Sequence, residues 1–381
     1  MALVLGIESS CDETAAAVVR DGEQLLSNVV SSQIATHMPY GGVVPELASR
    51  EHLRAIVPVV REAVRGAGLE LNQLDALAVT QGPGLAGALL VGITYAKALA
   101  FALSKPVITV NHLEGHIHAV LLERRQSRAG ELPLPALALI VSGGHTHLYI
   151  VNRAPSGGWN YQNVGRTLDD AAGEAFDKVA KLLALSYPGG PIIEHLAAHG
   201  NPHAIPMPLS QIKIRQKHKV TDDGSPESYD FSFSGIKTAV LRFAETHDMQ
   251  ESIDQRREAV ASLPDPKAVD FLPHLDGLTL DLIASFQEAV IQDLVRKTLR
   301  AAEDLEIESL IITGGVASNQ RLRSEFERRA MAERLRVFFP SRKLSTDNAA
   351  MIAAAAFPKF QARDFAGDHF SAEASLALGS R

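Results

Sequence analysis

Cysteine is almost absent from this chain: Cys11 is the only one among 381 residues. A lone cysteine cannot form an intrachain disulfide, which excludes a small disulfide-stabilised scaffold and fits a reducing compartment. Charged residues are also few, at 21%, whereas hydrophobic residues make up 46%. This composition excludes a mainly disordered chain, and the length favours two packed lobes.

The sequence has no excess of basic residues. Its 37 lysines and arginines are outnumbered by 44 aspartates and glutamates, which gives a net charge of −7. This balance argues against non-specific coating of nucleic acid, so any RNA contact must be local. Basic residues cluster at 213–219 and among the arginines of 321–336. Runs of charge are usually solvated surface, but these are the two places where RNA phosphates would be held.

The sequence also lacks a basic leader and an uninterrupted membrane-length apolar run. No basic residue precedes the apolar part of MALVLGIESS, so the start predicts a first β-strand rather than a secretory signal. Glycines, Thr94 and Lys97 interrupt the longest apolar run, 85–103, and no basic flank follows it. We therefore expect a buried helix there, no membrane span and a cytoplasmic location.

One strand–turn–strand pattern occurs twice. Short apolar runs at 2–8 and 15–19 flank the polar turn SSCDET, and runs at 136–142 and 147–151 flank the turn GGHT. The repetition predicts two similar α/β lobes. Other patterns predict helices at 45–66, 169–184, 278–303 and 316–335, strands at 74–80, 107–111 and 309–315, and a surface insertion at 262–276.

Two histidines have the spacing of a metal-binding pair. His112 and His116 lie four apart in NHLEGHIHA, so on a helix both imidazoles project from one face and can bind one cation. Capping or packing of a helix explains the pair equally well. Compared with the zinc-protease pattern HExxH, Glu114 is displaced by one residue, a rotation of about 100° around the helix. A protease is therefore disfavoured.

A third metal ligand is offered by Asp347 in LSTDNAAM, just before an alanine-rich segment. The ordinary alternative is that Ser345, Thr346 or Asp347 caps the helix that follows. If Asp347 is a ligand, two imidazoles and one carboxylate with open positions suit ferrous iron, and zinc accepts the same donors.

Several glycine-containing turns are candidates for nucleotide binding. In SGGHTH, Gly143 and Gly144 carry no side chain that would keep a phosphate from the backbone, although most such turns are only turns. GGVASN at 314–319 joins a strand to a helix, where Asn319 would meet a base or ribose edge.

Acidic residues and further glycines lie between these turns. Asp170, Glu174 and Asp177 are expected on one helical face, as a solvated acidic stripe or as acceptors for ribose hydroxyls. YPGGP at 187–191 offers another bare stretch of backbone. FSFSGIKTAV and GPGLAG are explained equally well by packing.

Ten segments occur in one order along nearly the whole chain: GIESSCDETAAAVV, THMPYGGVVPELASREH, TQGPGLAGALLVG, NHLEGHIHA, VSGGHTHL, LDDAAGEAFDKVAKLL, YPGGP, FSFSGIKTAV, GGVASN and STDNAAM. Together they resemble the bacterial TsaD branch of the universal tRNA threonylcarbamoyladenosine synthase family. The resemblance implies an α/β fold of two actin-like lobes with an interlobe cleft. The first lobe would comprise 1–130 and 343–381, and the second 131–342, with insertions near 206–230 and 251–276.

The resemblance also implies an activity and its partners. The family transfers threonylcarbamoyl from threonylcarbamoyl-AMP to N6 of the adenosine next to the anticodon, in tRNAs that read codons beginning with A. Its implied partners are tRNA, a paralogous TsaB-like subunit and a TsaE-like P-loop ATPase. The alternatives are a small-molecule kinase or ATPase of the same superfold and, less favoured, a metalloprotease.

Matched position by position, the resemblance assigns three groups of residues. The metal ligands would be His112, His116 and Asp347, around one divalent ion, with Fe²⁺ favoured over Zn²⁺. The catalytic acids would be Glu13 and Asp12. The substrate contacts would be Ile140, Val141, Ser142, Gly143, Gly144, Asp177, Gly190 and Asn319.

Overall fold

The structure is a computed structural model that describes residues 1–155, 158–208, 229–261, 263 and 265–379. The basic cluster at 213–219 and most of the insertion predicted at 206–230 lie outside the described residues. Packing divides the chain into two compact units. The first unit comprises Met1–Ala136, Val151–Gln162 and Phe338–Arg381, and the second comprises Leu137–Ile150 and Asn163–Val337.

Ten strands and thirteen α-helices are found among the described residues. The strands are β1 (Leu3–Glu8), β2 (Glu13–Arg20), β3 (Gln24–Ser32), β4 (Ala76–Gly82), β5 (Val107–Asn111), β6 (Ala136–Val141), β7 (Thr146–Arg153), β8 (Trp159–Arg166), β9 (Ser309–Thr313) and β10 (Arg336–Phe338). The helices are α1 (Ile34–His37), α2 (Pro45–Gly66), α3 (Ala86–Leu103), α4 (His112–Gln126), α5 (Ala172–Leu182), α6 (Gly189–Ala197), α7 (Ser234–Thr246), α8 (Gln250–Val260), α9 (Ala268–Phe271), α10 (Gly277–Asp304), α11 (Gln320–Glu333), α12 (Arg342–Ser345) and α13 (Ala349–Gln361).

The first unit is built on a sheet of order β3-β2-β1-β4-β5. Strands β1, β2 and β3 pair antiparallel, whereas β1, β4 and β5 pair parallel. Alternate apolar residues of these strands face opposite sides, where α4 and α13 form one core and α2 and α3 form the other. The carboxyl ends of β1, β4 and β5 therefore meet at one edge, which is where loops of parallel sheets carry ligand-binding residues.

Helix α13 lies very close to β1 and α4 because glycines face it. A Cβ on Gly6 would lie 2.3 Å from the carbonyl oxygen of Ala349. A Cβ on Gly115 would lie 2.9 Å from Cδ1 of Ile352. Since the facing part of α13 is mostly alanine and fully buried, the backbones approach directly. This contact fixes the start of α13 beside the start of α4.

The second unit contains a sheet of order β10-β9-β6-β7-β8 and helices α5 to α11. The surface insertion predicted at 262–276 is only partly correct. Phe271 in α9 is fully buried, so the described part of this segment contributes to a core. The preceding helix α8 is anchored by the buried Arg256, whose guanidinium donates to the carbonyl oxygens of Leu183 and His274.

The predicted repetition is confirmed, since β1 and β2 form one strand–turn–strand unit and β6 and β7 form the other. Strands β3 and β8, each the third strand of its sheet in chain order, were not predicted. Residues QLLSNVVSS in β3 and WNYQNVGR in β8 carry many polar side chains and are half-exposed. Their sequences therefore lack the apolar signal that identified the buried strands.

The helix predicted from the apolar run at 85–103 is buried on one face only. Among the described residues, α3 alone is long and apolar enough to match a membrane span by length and composition, and 33% of the helix is buried. Its buried residues pack in the first unit, whereas Leu90 and Phe101 are 46% and 90% exposed. The prediction of a buried helix is thus wrong for the outward face.

Candidate metal centre and substrate-binding loops

Helix α4 begins at the first of the two predicted metal ligands. The Asn111 side chain accepts from the backbone N–H of Leu113 at 2.9 Å, which caps the helix and starts it at His112. His112 and His116 are 3% and 0% exposed. Their rings lie 4.7 Å apart and nearly perpendicular. The predicted helical pairing of the two imidazoles is therefore present.

Asp347 lies beside this pair. Its Oδ1 is 3.6 Å from Nε2 of His112 and 3.3 Å from Nε2 of His116. The alternative that Asp347 caps the following helix is wrong, because Asn348 occupies that position and accepts from the backbone N–H of Met351 at 3.0 Å. The loop before α13 thus delivers a carboxylate oxygen to both imidazoles.

The three side chains fit the donor set of one divalent ion. One ligand atom from each of His112, His116 and Asp347 lies within 4.8 Å of the others. Ligand atoms about 2.0–2.2 Å from a shared ion lie roughly 3.0–3.5 Å apart, close to the measured separations. Two imidazoles and one carboxylate leave coordination positions open, as in catalytic metal sites. The group can therefore hold a metal ion.

A buried carboxylate that sequence reasoning missed stands behind the pair. Glu8, at the end of β1, is 0% exposed, and its Oε2 lies 3.1 Å from Nδ1 of His112. The same oxygen accepts from the hydroxyl of Thr80 at 2.7 Å, and Oε1 accepts from the backbone N–H of Ser10 at 2.5 Å. An acidic residue ending an otherwise apolar buried strand was the available signal, since such a residue needs a partner.

The electrostatics of this group favour a cation. Burial lowers the pKa of His112, but the charges of Asp347 and Glu8 outweigh it and raise that pKa to about 9. Burial is the largest effect on His116 and lowers its pKa. Burial acts to raise the pKa of Glu8, yet the charge and hydrogen bond of His112 leave it below its ordinary value. The negative charges of Glu8 and Asp347 would therefore also attract a divalent ion.

The predicted catalytic acids lie where the β1–β2 loop enters β2 in the same unit, with Asp12 at the end of the loop and Glu13 as the first residue of β2. The carbonyl oxygen of Asp12 accepts from the backbone N–H of Gln33 at 2.9 Å, and the hydroxyl of Ser32 donates to Glu13 at 3.3 Å. Burial, followed by the charges of Asp12 and Asp347, raises the pKa of Glu13 well above its ordinary value. Glu13 is therefore close enough to Asp347 to feel its charge.

A buried histidine holds this acidic loop in place. His52, 0% exposed, has Nε2 at 3.0 Å from the carbonyl oxygen of Cys11 and Nδ1 at 2.7 Å from the hydroxyl of Thr14. Because a carbonyl can only accept, Nε2–H donates to Cys11, and the hydroxyl of Thr14 donates to Nδ1. His52, the last residue of the segment THMPYGGVVPELASREH, thus holds Cys11 and Thr14, which flank Asp12 and Glu13.

Glu114 does not serve as the base of a metalloprotease. It projects from the other side of α4, where its Oε2 lies 3.1 Å from Nζ of Lys359 and its Oε1 accepts from the hydroxyl of Tyr161 at 3.4 Å. Its carboxylate ties α4 to α13 and is turned away from the imidazole pair. The protease alternative therefore has no general base at the expected position.

In the second unit, the turn between β6 and β7 presents bare backbone. The backbone N–H of Ser142 donates to His145 at 2.8 Å, and the Ser142 hydroxyl accepts from the backbone N–H of His145 at 3.2 Å. Gly143 and Gly144 between them are exposed, and a Cβ on either would meet nothing within 4 Å. Ile140 and Val141 are 0% exposed, backbone included, so their role as substrate contacts stays a prediction.

Two glycines bring other segments to this turn. A Cβ on Gly173, near the start of α5, would lie 2.6 Å from the carbonyl oxygen of Ser142. Gly314, after β9, has φ +98°, and a Cβ there would lie 2.4 Å from the carbonyl oxygen of Val141. The segment predicted at 314–319 therefore packs beside the β6–β7 turn. Its residues Gly315–Ser318 form a 3-10 turn before α11, where a direct strand-to-helix transition was predicted.

Asp177 and Gly190, both predicted substrate contacts, lie close to each other. Asp177 Oδ1 accepts from the backbone N–H of Gly189 at 2.7 Å, and a Cβ on Gly190 would meet nothing within 4 Å. Asp170 and Glu174 do not belong to this group. Asp170 accepts from Lys178 and Lys237 at 2.6 and 3.2 Å, and Glu174 pairs with Lys178 at 2.8 Å. Asp170 lies before α5, so it does not share a helical face with Glu174 and Asp177 as predicted. Asp170 and Glu174 are ion-paired, whereas a solvated stripe was the ordinary alternative.

Asn319 has a structural role whatever it contacts in a substrate. Its side chain caps α11 by accepting from the backbone N–H of Leu322 at 3.0 Å, and its amide donates to Gln287 at 2.9 Å. It is only 6% exposed. Its contact with a base or ribose stays a prediction.

The model of the TsaD family, tRNA N6-adenosine threonylcarbamoyltransferase, matches residues 24–354 of this chain. The chain belongs to this family. A tRNA N6-adenosine threonylcarbamoyltransferase of Koribacter versatilis is 61% identical over 378 residues, which cover 99% of this chain and 99% of the relative. One of Syntrophobacter fumaroxidans is 51% identical over 367 residues, with 96% of each chain covered. The predicted family membership is confirmed.

Two solved structures share the fold at low sequence identity. Component A of the (R)-2-hydroxyglutaryl-CoA dehydratase of Acidaminococcus fermentans has a TM-score of 0.50 and 12% identity, covering 94% of this chain and 99% of that chain. Full-length HypF in its phosphate- and nucleotide-bound form has a TM-score of 0.52 and 12% identity, covering 97% and 56%. At this identity the likeness concerns the fold alone, and the predicted α/β, actin-like fold class is confirmed.

The arginine-rich segment is largely ion-paired. Arg321 pairs with Glu288 at 2.7 Å and with Glu325 at 2.9 Å, and Arg328 pairs with Glu325 at 2.5 Å. The hydrogen bond from Arg328, reinforced by Arg321, lowers the pKa of Glu325 to about 2. These acidic partners neutralise much of the positive charge. The segment is therefore a weaker candidate for holding RNA phosphates than the sequence suggested.

Proposed function

We propose that this protein transfers threonylcarbamoyl from threonylcarbamoyl-AMP to N6 of the adenosine beside the anticodon, in tRNAs that read codons beginning with A. The observation that carries the proposal is the family match over residues 24–354. The group of His112, His116 and Asp347 supports it, because the ion they would hold suits chemistry on a charged donor. A kinase of the same superfold is the alternative, and the reaction product distinguishes the two activities.

We propose that His112, His116 and Asp347 hold one divalent ion. Two imidazoles, one carboxylate and open positions favour Fe²⁺, and Zn²⁺ accepts the same ligands. Such an ion supplies Lewis-acid polarisation and orientation of oxygen atoms in the donor. The exposed backbone at Gly143 and Gly144 would cradle phosphate oxygens, and Asp177, Gly190 and Asn319 would position the nucleoside.

The acidic loop would accept the proton that the reaction releases. N6 of adenine attacks the carbamoyl carbon, the bond from that carbon to the phosphate oxygen breaks, and AMP leaves with its electron pair. The nitrogen then loses a proton, for which Glu13 is the proposed acceptor, with Asp12 beside it. Its raised pKa makes the ionised carboxylate of Glu13 a stronger base than an ordinary glutamate.

The proposed protein partners are a paralogous TsaB-like subunit and a TsaE-like P-loop ATPase. Helix α3 offers a surface for the first. Leu90 and Phe101 lie three turns apart on its outward face and are 46% and 90% exposed. Large apolar side chains displayed together in this way are common at subunit interfaces. A paralogue of the same fold would present an equivalent helix to this face.

The reaction can be tested by reconstitution. This chain would be combined with a donor-forming enzyme, both proposed protein partners, threonine, bicarbonate, ATP and unmodified tRNA, and the nucleosides would be analysed by mass spectrometry. We expect threonylcarbamoyladenosine, and its loss when this chain or the paralogous subunit is omitted. Absence of product where a reference TsaD protein succeeds would overturn the proposal. A phosphorylated small molecule as product would favour the kinase.

The role of the acidic loop is tested by Glu13→Gln. We expect kcat to fall about 100-fold, because the proton acceptor is lost while the side-chain shape is kept. Bound metal, measured by elemental analysis, and the KM for tRNA should change little. The matched control is Glu23→Gln at an exposed position outside the site. An unchanged kcat in the Glu13 variant would remove Glu13 from the mechanism.

A further inference from the structure

We propose that Glu8 is a positioning residue whose carboxylate selects the tautomer of His112 that presents Nε2 to the metal ion. The inference rests on the proposed metal centre and adds a residue to it. Three polar groups converge on Glu8: Nδ1 of His112 at 3.1 Å, the hydroxyl of Thr80 at 2.7 Å and the backbone N–H of Ser10 at 2.5 Å. No part of Glu8 is exposed, so no solvent competes with these groups.

A carboxylate can fix the tautomer because it only accepts. An ionised Glu8 can bond to His112 only when Nδ1 carries the proton, which leaves the lone pair on Nε2. Nε2 is the atom that lies 3.6 Å from Asp347 Oδ1. Ser10 Oγ also lies 3.2 Å from Nδ1, but a hydroxyl either donates or accepts and cannot select a tautomer. The selection therefore falls to Glu8.

Glutamine at this position would favour the wrong tautomer. If its NH₂ replaced Oε1, it would face the backbone N–H of Ser10, donor against donor. If its NH₂ replaced Oε2, it would face the Thr80 hydroxyl, which can rotate and accept, and Nδ1 of His112. The second placement is better satisfied. It donates to Nδ1 and so puts the imidazole proton on Nε2, where it blocks the metal.

The test measures metal binding in the full chain, with Zn²⁺ by chelator competition and Co²⁺ by its visible absorption spectrum. We expect Glu8→Gln to weaken Zn²⁺ binding about 10- to 100-fold and to change the Co²⁺ spectrum. Ser10→Ala, which removes the other side chain near Nδ1, should change the affinity less than about threefold. Equal Zn²⁺ affinity and an unchanged Co²⁺ spectrum in folded Glu8→Gln would overturn the proposal.

A second measurement needs no variant and decides the matter if Glu8→Gln fails to fold. Nitrogen-15 NMR of histidine-labelled wild-type protein with Zn²⁺ reports which ring nitrogen of His112 bears the proton. Protonated Nδ1 and metal-bound Nε2 support the proposal, and the reverse arrangement overturns it. Because neither readout uses tRNA, a failed transferase assay would leave this result standing. Wild-type protein that binds no metal would instead remove the proposed metal centre and Glu8's role with it.

Discussion

His116→Ala is expected to abolish stoichiometric metal binding and to lower the transfer rate about a hundred- to a thousand-fold. The buried imidazole is one of only three protein donors in the proposed centre, and Lewis-acid catalysis contributes several kcal/mol. Elemental analysis of the purified protein and single-turnover transfer to tRNA check the two effects on one preparation. Metal and activity should fall together, because one side chain underlies both.

The matched control is His195→Ala. His195 also lies on a helix one turn from another histidine, His199, but its side chain is exposed and in the second unit. We expect unchanged metal content and rate. Full metal occupancy in His116→Ala would contradict the ligand assignment. Loss of activity with full occupancy would mean that the histidine acts on the substrate directly.

Gly6→Ala is expected to lower both the unfolding free energy and the metal affinity. The added Cβ would lie 2.3 Å from the carbonyl oxygen of Ala349 and 2.8 Å from the backbone nitrogen of Ala353, so α13 must move. Overpacking against backbone costs about 3 kcal/mol of unfolding free energy. Because Asp347 directly precedes α13, the same displacement should weaken metal binding. Urea unfolding and chelator competition measure the two consequences.

Gly277→Ala serves as the control for Gly6→Ala. A Cβ on Gly277, the first residue of α10, would meet nothing within 4 Å. Its unfolding free energy should stay within about 0.5 kcal/mol of the parent protein. If Gly6→Ala keeps both stability and metal affinity, the close packing of α13 on β1 is not what positions Asp347.

Much of the fold followed from local patterns in the sequence. Helix α2 and strand β5 were predicted with the bounds that the structure has, because apolar spacing and flanking turns mark their ends. Strands β3 and β8 were not predicted, because many of their side chains are polar and partly exposed. The exposure of the outward face of α3 was not predicted, because hydropathy reports composition and cannot distinguish a buried apolar face from an exposed one.

The site was less accessible to sequence reasoning than the fold. The spacing of His112 and His116 indicated a metal pair, but only the resemblance to a known family joined Asp347 to it across more than 200 residues of sequence. Glu8 was missed because its role depends on a contact between the end of β1 and the start of α4. The glycines that admit α13 act through neighbours distant in sequence, and no local pattern identifies such contacts.

Anomalous X-ray diffraction, recorded above and below the iron and zinc absorption edges on crystals of the metal-bound protein, tests the central claim most directly. We predict one peak within about 2.3 Å of Nε2 of His112, Nε2 of His116 and a carboxylate oxygen of Asp347. A metal peak bound elsewhere, with Asp347 beyond coordination distance of the two imidazoles, would contradict it.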